Sequence, residues 1–548
     1  MAWIFAAVVL CLAFAEMGFR KALLIIGGAI VGFATAAASG TDVPTYKYDA
    51  MRTGQNRTET VLTPSNVTSA TFGKLRNLIV DGRVDAQPLY LSKLTIAGAP
   101  HNVVFVATEH DSVYAFDADT GNILWEVSLI GRGETSSDDR KCYQVTPEIG
   151  ITSTPVIDRS AGAHGTIYVV AMTKDSSSNY HQRLHALDVA TGHEMVSSPT
   201  EITATIGATA FAPGQYKERA ALLLSNGTIY TTWASHCDHG PYGGWIIALS
   251  ESTLAVAGVL NVAMGASGSG FAAQGPSIWM SGGGPAADSA GNVYVLTANG
   301  RFETTLDVGG FPSGGDYGNS LVKFSSLGSN LWVVDYFTVS DEIAESTADV
   351  DLGSGGVMLL PDMTDANGMV RHLALGAGKD GNIYIVNRDS MGKFNAVSNN
   401  VWQELDGVLG GSVYGTPAYF NFSVYYGPQD GSMRAFSVTN ALLSSSPTSQ
   451  SATRFPYPGT LPVVSANGTA NAIVWAYENA SPAVLHAYAA SNLATELYNS
   501  NQAPKGRDHF GAGNKYIAPV VADGKVFVAT TKSVAVFGLL PASLDTSR

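Results

Sequence analysis

The chain has 548 residues, of which 45% are hydrophobic and 14% charged, with 59 glycines and a formal net charge of -14. This composition is typical of a large, turn-rich globular protein and excludes a disordered or coiled-coil chain. The acidic balance argues against nucleic-acid binding, because phosphate contacts need clustered Lys and Arg that the sequence does not show.

Two apolar runs, 2–15 and 22–38, form the one membrane-like region. The second follows MGFRK and ends in ATAAASG, the order of a secretory signal. We expect cleavage near Ala38; a retained N-terminal anchor is the alternative. The expected location is secreted or extracytoplasmic, in the periplasm or at the cell surface, with membrane contact only through residues 1–38 if they are kept.

Sequons at Asn56, Asn66 and Asn226 permit glycosylation in a eukaryotic host.

The first strong structural signal is the stretch VYAFDADTGNILWE at 113–126. Alternating residues of a strand face opposite sides, so the aromatic pair at 114 and 116 enters one core while Ala115 faces the other. DADTG then predicts a tight turn.

This hairpin has relatives along the whole chain. A Gly-led strand recurs as GTIYVVA (165–171), GTIYTTW (227–233), GNVYVLT (291–297), GNIYIVN (381–387) and GKVFVAT (524–530), with NVVFVAT (102–108) as a variant. Partner strands follow, such as RLHALDVATG (183–192), and Pro-containing strands precede several units, such as STPVID (153–158).

The repeating unit is three or four short strands over about fifty to sixty residues, a period that suits propeller blades. The predicted fold is therefore an all-β propeller of four-stranded blades, in one domain over 45–540. Counting units gives eight blades, with seven as the alternative. Trp125 is expected between neighbouring blades, and FGKLRNLIV (72–80) to close the ring against the last blade, which hides sheet edges.

YAFDADTGNILWE and TPVID...GTIYVVA...LHALDVATG resemble the pyrroloquinoline-quinone (PQQ) repeat, so the chain is similar to the quinoprotein alcohol dehydrogenase-like propellers. The resemblance covers nearly everything after residue 45. It implies fold more strongly than function, because the same repeat also builds non-enzymatic scaffolds.

The resemblance also implies site residues. YVLTANGRFE places Asn299 as a calcium ligand, HCDHGPYGGW offers Asp238 as an acidic calcium ligand, and GGDYGNSLVKF offers Asp316 as the catalytic base. SIWMSGG offers Trp279 as the floor beneath the quinone. GKDGNIYIVNRD offers Lys379 as a cofactor contact, with Arg388 at the end of the same segment.

Two departures from the family stand out. Its adjacent cysteine pair over the cofactor is reduced to KCYQ, where Cys142 is followed by Tyr143, so the resemblance leaves Cys142 alone as the cofactor contact of this pair. There is also no C-x-x-C-H for a c-type haem. Beyond residue 38 the only cysteines are Cys142 and Cys237. We expect them to form a disulfide, since both lie on loops of successive blades in an oxidising compartment; two free thiols are the alternative.

Each assignment has a plainer interpretation. Asp316 and Asn299 also suit turns, Trp279 suits blade packing, and Lys379 suits an exposed hairpin. Ligand chemistry in SHCDHG (235–240) does not favour a transition-metal site, because consecutive residues of an extended segment point to opposite faces. DVDLGSGG (349–356) suits either the central channel or a solvated loop.

Two functions follow. The first is a PQQ- and calcium-dependent oxidoreductase, without haem, that oxidises a small-molecule alcohol, polyol or sugar, with an Asp base and a calcium ion beside the quinone. The second is a non-catalytic propeller that binds a protein or glycan partner.

Overall fold

The computed structural model of the protein describes residues 40–265, 273–327 and 330–541. The predicted signal or anchor at 1–38 lies outside these residues. Within the described ranges, no helix is long and apolar enough to cross a membrane.

The described chain is an eight-bladed β-propeller, as predicted, and the seven-bladed alternative is wrong. Blades are numbered in chain order, and their strands are labelled A to D from the channel outward. Strands A to D of blades 1 to 4 are: Leu89–Ile96, Ala99–Ala107, Ser112–Asp117, Ile123–Ser128; Val156–Asp158, Thr166–Asp175, Tyr180–Asp188, Thr200–Glu201; Leu223–Ser225, Thr228–Ser235, Trp245–Ser250, Val256–Asn261; Ala286–Ala287, Val293–Leu296, Ser320–Leu327, Asn330–Thr338.

Strands A to D of blades 5 to 8 are: Met358–Leu359, Leu373–Gly376, Ile383–Asn387, Gln403–Leu405; Ala418–Phe420, Ser423–Tyr426, Gly431–Thr439, Ser449–Phe455; Val463–Asn467, Ala470–Glu478, Val484–Ala489, Glu496–Asn499; Val520–Ala522, Lys525–Ala529, Ser533–Leu539, Phe72–Ile79. The additional strands are Gln55–Asn56, Glu134–Asp138, Glu148–Ile149, Thr205–Ile206, Thr209–Ala210, Tyr216–Glu218, Met363–Thr364, Val370–Arg371 and Leu442–Leu443. One α-helix, Glu342–Thr347, and the 3₁₀ helices Pro213–Gln215, Leu352–Ser354 and Pro504–Gly506 complete the described elements.

The Gly-led segments are strand B in blades 2, 3, 4 and 8, and the variant NVVFVAT is part of strand B in blade 1, but GNIYIVN is strand C of blade 5. The sequence signal shifts there because the small hairpin of Met363–Thr364 and Val370–Arg371 lies between strands A and B, and HLALGAG forms strand B without a leading glycine. In blade 5 the Gly-led segment therefore forms strand C, whereas in the other blades that have one it forms strand B.

Apolar side chains are buried mainly between blades. Tyr114 and Phe116 stack with ring centroids 5.4 Å apart in a core shared with blades 7 and 8, while Ala115 belongs to the core shared with blade 2. Trp125 lies at the boundary predicted for it, because its indole N–H donates to Val189 O of blade 2 at 2.9 Å. The alternation predicted from the hairpin is confirmed.

Ring closure also follows the prediction. Phe72–Ile79 pairs antiparallel with Ser533–Leu539, so the N-terminal part of the chain supplies the outermost strand of the last blade. A closed ring leaves no blade without a neighbour.

The segment 43–56 lines the channel, which the sequence did not indicate. Its backbone oxygens accept hydrogen bonds from the innermost strands of six blades, donated by the N–H groups of Tyr90, Ile157, Ala287, Leu359, Tyr419 and Val464. Arg52 reaches a seventh blade by donating to Leu222 O, and Tyr48 OH accepts from Val521 N of the eighth. Backbone groups that face the channel are thereby paired.

The sequons differ in accessibility. Asn56 is buried and its amide nitrogen donates to Val521 O, so a glycan does not fit there in the folded protein. Asn66 is partly exposed and Asn226 is exposed. Glycosylation at these two positions stays a prediction.

Phe72 tests the closure. Its ring is fully buried against Trp475, Tyr498 and Phe537, with centroid separations of 5.5, 5.0 and 6.1 Å. We expect Phe72→Ala to lower stability by about 3–5 kcal/mol, as for other buried Phe residues, and to lower the urea midpoint accordingly. Ile79→Ala, on the same strand but 67% exposed, should change stability by less than about 0.5 kcal/mol. Equal midpoints for the two variants would contradict this closure.

Candidate functional site

Strand alternation sends two kinds of loop to one end of the propeller. In a four-stranded antiparallel blade, the B-to-C loop and the D-to-A connection to the next blade lie at the same end. The B-to-C loops include Asp238 of blade 3, Asn299 of blade 4 and Lys379 of blade 5; Trp279 lies on a D-to-A connection. Four predicted site residues are thus directed to the same end.

A cavity of about 190 Å³ lies among these loops. It is lined by Gln144, Asp238, Trp279, Ser281, Asp349, Asp351, Ser354, Lys379, Tyr414, Tyr457 and Tyr516. Ligand pockets usually have volumes of at least about 300 Å³, so a large ligand can enter this cavity only when its side chains move. We call this space the central cavity.

Lys379 balances one of the two negative charges on the acidic wall of the central cavity, formed by Asp349 and Asp351. Its ammonium lies 2.5 Å from Asp351 Oδ2 and 3.1 Å from Asp349 Oδ1, and it donates to Asp349 O at 2.9 Å. Burial disfavours the ammonium, but the two carboxylates outweigh this and raise the pKa of Lys379. The lysine is therefore charged at neutral pH.

Asn299 holds the same two acids from behind. Its backbone N–H donates to Asp351 Oδ1 at 2.8 Å and its amide nitrogen to Asp349 Oδ1 at 2.9 Å. Burial raises the pKa of Asp351, although Lys379 beside it opposes the shift. The acids of DVDLGSGG thus line the channel, which the sequence left open.

A disulfide fixes the opposite rim. Cys142 and Cys237 are bonded, with Cα atoms 5.5 Å apart, which confirms the predicted pairing. Cys142 does not itself line the central cavity, but Gln144 and Asp238, close to the two half-cystines in sequence, do. Asp238 Oδ1 accepts from Ser235 Oγ at 2.8 Å and Tyr242 OH at 3.2 Å. The bridge therefore ties together two loops of the rim.

Trp279 separates the central cavity from a narrower one. The narrower cavity is lined by Asp85, Gln144, Val145, Lys217, Arg219, Trp279, Ser281, Lys515 and Tyr516. Four residues of this set also line the central cavity, so the two spaces adjoin. The Lys217 ammonium lies 5.4 Å from the indole centroid of Trp279. An aromatic surface with a cation beside it is thus present at the position predicted for the cofactor floor.

Asp316 lies apart from this group. It is fully buried, accepts from Gly265 N at 2.7 Å and lies 3.1 Å from Arg301 Nε. Although the same B-to-C connection of blade 4 carries both Asn299 and Asp316, the aspartate is not among the residues that line the central cavity.

Arg388 is at the other end of the blades. It follows strand C, whereas Lys379 precedes it, and the five-residue strand Ile383–Asn387 spans about 16 Å at roughly 3.3 Å per residue. Arg388 lies 3.6 Å from Asp288 and near the ring of Tyr294, between blades 4 and 5. This placement argues against a cofactor contact by Arg388 and favours a role in joining the two blades.

Sequence comparison adds nothing here, since no protein-family model and no curated protein matches the chain. Solved structures do match. A quinohemoprotein alcohol dehydrogenase from Comamonas testosteroni is 15% identical over 92% of this chain and 81% of its own, with a TM-score of 0.60. The fold is that of the quinoprotein alcohol dehydrogenases.

Two further structures agree with this quinoprotein-type fold. A quinohemoprotein alcohol dehydrogenase from Pseudomonas putida HK5 is 13% identical over 91% of this chain and 80% of its own, with a TM-score of 0.57. A europium-containing methanol dehydrogenase is 12% identical over 91% of this chain and 98% of its own, with a TM-score of 0.56. At such identities the likeness establishes the fold, and any function rests on the site.

Three cations of the site were not predicted, and the sequence left Asp351 open between the central channel and a solvated loop. Asp351 follows the short helix Glu342–Thr347 in a long D-to-A connection that has no repeat signature. Lys217 and Arg219 are two residues apart in YKER, whereas Lys515 follows about 300 residues later in the chain. Because these four residues all lie on D-to-A connections, the order of the strands could have placed them at the correct end of this quinoprotein-type propeller. It could not have placed them in one cavity.

Lys379→Met tests the buried ion pair between Lys379 and Asp351. We expect a loss of about 3 kcal/mol at pH 7, because the variant leaves the buried Asp351 carboxylate without its cation. An unpaired buried carboxyl has a folded-state pKa above its unfolded value, so the loss should shrink as the pH falls towards 4. Urea midpoints at several pH values measure this.

The double variant Asp351→Asn/Lys379→Met should recover most of the lost stability, and Lys505→Met, at an exposed lysine, should change little. A Lys379→Met variant with wild-type stability at pH 7 would show that the pair is not a buried ion pair.

Proposed function

We propose that the protein is an exported, quinone-dependent oxidoreductase that oxidises an alcohol, polyol or sugar in the central cavity. The observation that carries the proposal is convergence: Asp238, Trp279 and Lys379, assigned from separate blades, line one cavity. The likeness in fold to two quinohemoprotein alcohol dehydrogenases and a methanol dehydrogenase supports it.

The residues suit a planar, anionic quinone. Trp279 and three tyrosines supply aromatic surface, and Lys379 and Lys217 supply positive charge beside it. When bound, such a quinone would accept a hydride, which is two electrons with one proton, from the substrate carbon. Within the protein, Trp279 and Tyr516, which line both cavities, would bind its faces.

The residues do not suit a calcium ion equally well. Carboxylate and amide oxygens are the ligands that calcium prefers, and six to eight are needed. Here Lys379 already lies against Asp349 and Asp351, and Asn299 turns its N–H groups to the same acids. No set of three or more His, Cys, Asp or Glu residues arranged for a metal occurs among the residues described. The proposal therefore includes no step through calcium.

Asp351 is the base in this proposal, in preference to Asp316. It lines the cavity, whereas Asp316 does not. The Lys379 ammonium at 2.5 Å favours the carboxylate form, and the Asn299 N–H orients the second oxygen. A substrate hydroxyl placed against Asp351 would transfer its proton to this carboxylate as the carbon is oxidised.

The disulfide supports an extracytoplasmic location, because such bonds persist in oxidising compartments. Secretion to the periplasm or cell surface belongs to the proposal. The sequence contains no C-x-x-C-H motif, so electrons would leave to a separate acceptor.

Dye reduction tests the proposal. Purified protein is incubated with PQQ, with and without added calcium, and supplied with primary alcohols, polyols or aldoses and an artificial electron acceptor. We expect quinone-dependent reduction of the dye that falls about 10²–10⁴-fold in Asp351→Asn, the usual contribution of a general base. Asp316→Asn, checked for an unchanged melting temperature, should keep activity within a few fold.

Loss of activity in Asp316→Asn alone would return the role of base to Asp316. An absolute requirement for calcium would overturn the conclusion that these residues do not suit the metal. No quinone-dependent reduction with any substrate class would overturn the proposal in favour of a non-catalytic propeller with a protein or glycan partner.

A further inference from the structure

Three cationic side chains line the narrower cavity behind Trp279. Lys217 and Arg219 are 2% and 7% exposed, and Lys515 lies beside them. The Arg219 guanidinium lies over the ring of Tyr516, 4.7 Å from its centroid. We call Lys217, Arg219 and Lys515 the cationic wall.

The cationic wall has no counter-ions of its own. None of its members belongs to an ion pair within the described residues. The side chain of Arg219 donates a long hydrogen bond, of 3.5 Å, to Thr152 O. Lys217 is 2% exposed, and its ammonium lies 5.4 Å from the indole centroid of Trp279 without an ion-pair partner among the residues that the structure describes. Buried charges are costly unless they are paired.

The nearby acids do not balance this charge. Asp85 lines the cavity and its Oδ1 accepts from Asn514 Nδ2 at 2.6 Å, while Glu109 lies behind it and shares a side-chain hydrogen bond with it. Burial, and then the charge of Asp85, raise the pKa of Glu109 well above its usual value. The two acids therefore share about one negative charge against three cations, and Arg83 nearby adds a fourth.

We propose that the cationic wall binds the carboxylates of a planar aromatic polycarboxylate whose ring lies against Trp279 and Tyr516. Ammonium and guanidinium groups form strong charge-assisted hydrogen bonds to carboxylates, and the two aromatic side chains suit a flat ring. That the ligand is the quinone cofactor rests on the proposed function; that it is an aromatic polyanion rests on the cationic wall.

The ligand would approach from the central cavity. The two spaces share Gln144, Trp279, Ser281 and Tyr516, but the narrower one has a volume of only about 10 Å³, so a carboxylate reaches the cationic wall only when side chains between the two spaces move apart. The ligand's anionic end would then meet the cationic wall, while its other end faced Lys379 and Asp351. Carboxylates thus fix the orientation that the proposed oxidation needs.

Titration of tryptophan fluorescence with PQQ and with its trimethyl ester tests the proposal. The ester keeps the quinone but has no carboxylates. We expect PQQ to bind at least tenfold more tightly than the ester, and Lys217→Met and Arg219→Gln each to weaken PQQ about tenfold or more without changing the ester. Lys505→Met, which removes an exposed cation, should change neither affinity.

Folding of the variants is checkable separately. Lys217→Met removes an unpaired buried charge, so its melting temperature without ligand should equal or exceed that of the wild type. Benzene-1,3,5-tricarboxylate, a flat tricarboxylate that is not a quinone, serves as the third probe.

The outcomes are distinct. Tight PQQ binding that Lys217→Met and Arg219→Gln leave unchanged overturns the cationic wall but not the proposed function. Binding of the benzene tricarboxylate that depends on Lys217, with no binding of PQQ, supports the wall and overturns the quinone. Binding of neither polyanion overturns both.

The pH dependence supplies an independent test. Burial, with Arg219 and Lys515 nearby, lowers the pKa of Lys217 to about 8, against the opposing pull of Glu109 and Asp85. PQQ affinity should therefore fall as the pH rises through 8, where the ammonium loses its proton. His236, also close to Lys217, has its pKa lowered by burial to about 3 and stays neutral there.

Lys217→Arg should abolish this fall, since arginine stays charged above pH 8. An unchanged pH profile in Lys217→Arg would show that another group controls anion binding, and would overturn the role assigned to Lys217.

Discussion

The structure depends on how the channel edge of each innermost strand is paired. A propeller closes its ring by placing one terminal strand beside the other, but this leaves the backbone groups that face the axis unpaired. Here the segment 43–56 runs around the channel and bonds to strand A of six blades through its backbone. Arg52, fully buried, adds bonds to Leu222 O and Pro285 O next to strands of blades 3 and 4.

This arrangement divides the channel. With the segment 43–56 bonded to strands A, the loops at one end remain free to carry chemistry. The connections between blades and the B-to-C loops meet there, and both cavities lie among them. A site at one end of the channel is thus a consequence of filling the axis from the N-terminal side of the chain.

The parts of the fold that could be predicted from the sequence are those that follow from identifying strand B in each repeat. The period and the Gly-led strands were enough to predict the blades, their number and the closing strand Phe72–Ile79. The same phase directs Asp238 and Lys379 to one end, because each follows a strand B. Arg388 could have been excluded by recognising GNIYIVN as strand C, but the hairpin inserted into blade 5 removed the local signal for strand B.

The site residues that could not be predicted from the sequence lie on irregular loops. Asp316 and Asp351 both lie in connections longer than a turn, and loop geometry decides which of them faces the cavity. The cationic wall is assembled from two connections some 300 residues apart, and nothing in the sequence links the triplet Lys217-Glu218-Arg219 to the single Lys515. Such groups are fixed by tertiary packing alone, so only coordinates could bring them together.

The two cavities have opposite electrostatic character. On one side, Asp349 and Asp351 exceed the single charge of Lys379; on the other, the cationic wall exceeds the charge that Asp85 and Glu109 share. A ligand that is anionic at one end and electron-poor at the other would be oriented by this field before any specific contact forms. Trp279, between the two sides, would then act chiefly as a surface, and the direction of binding would be set by charge.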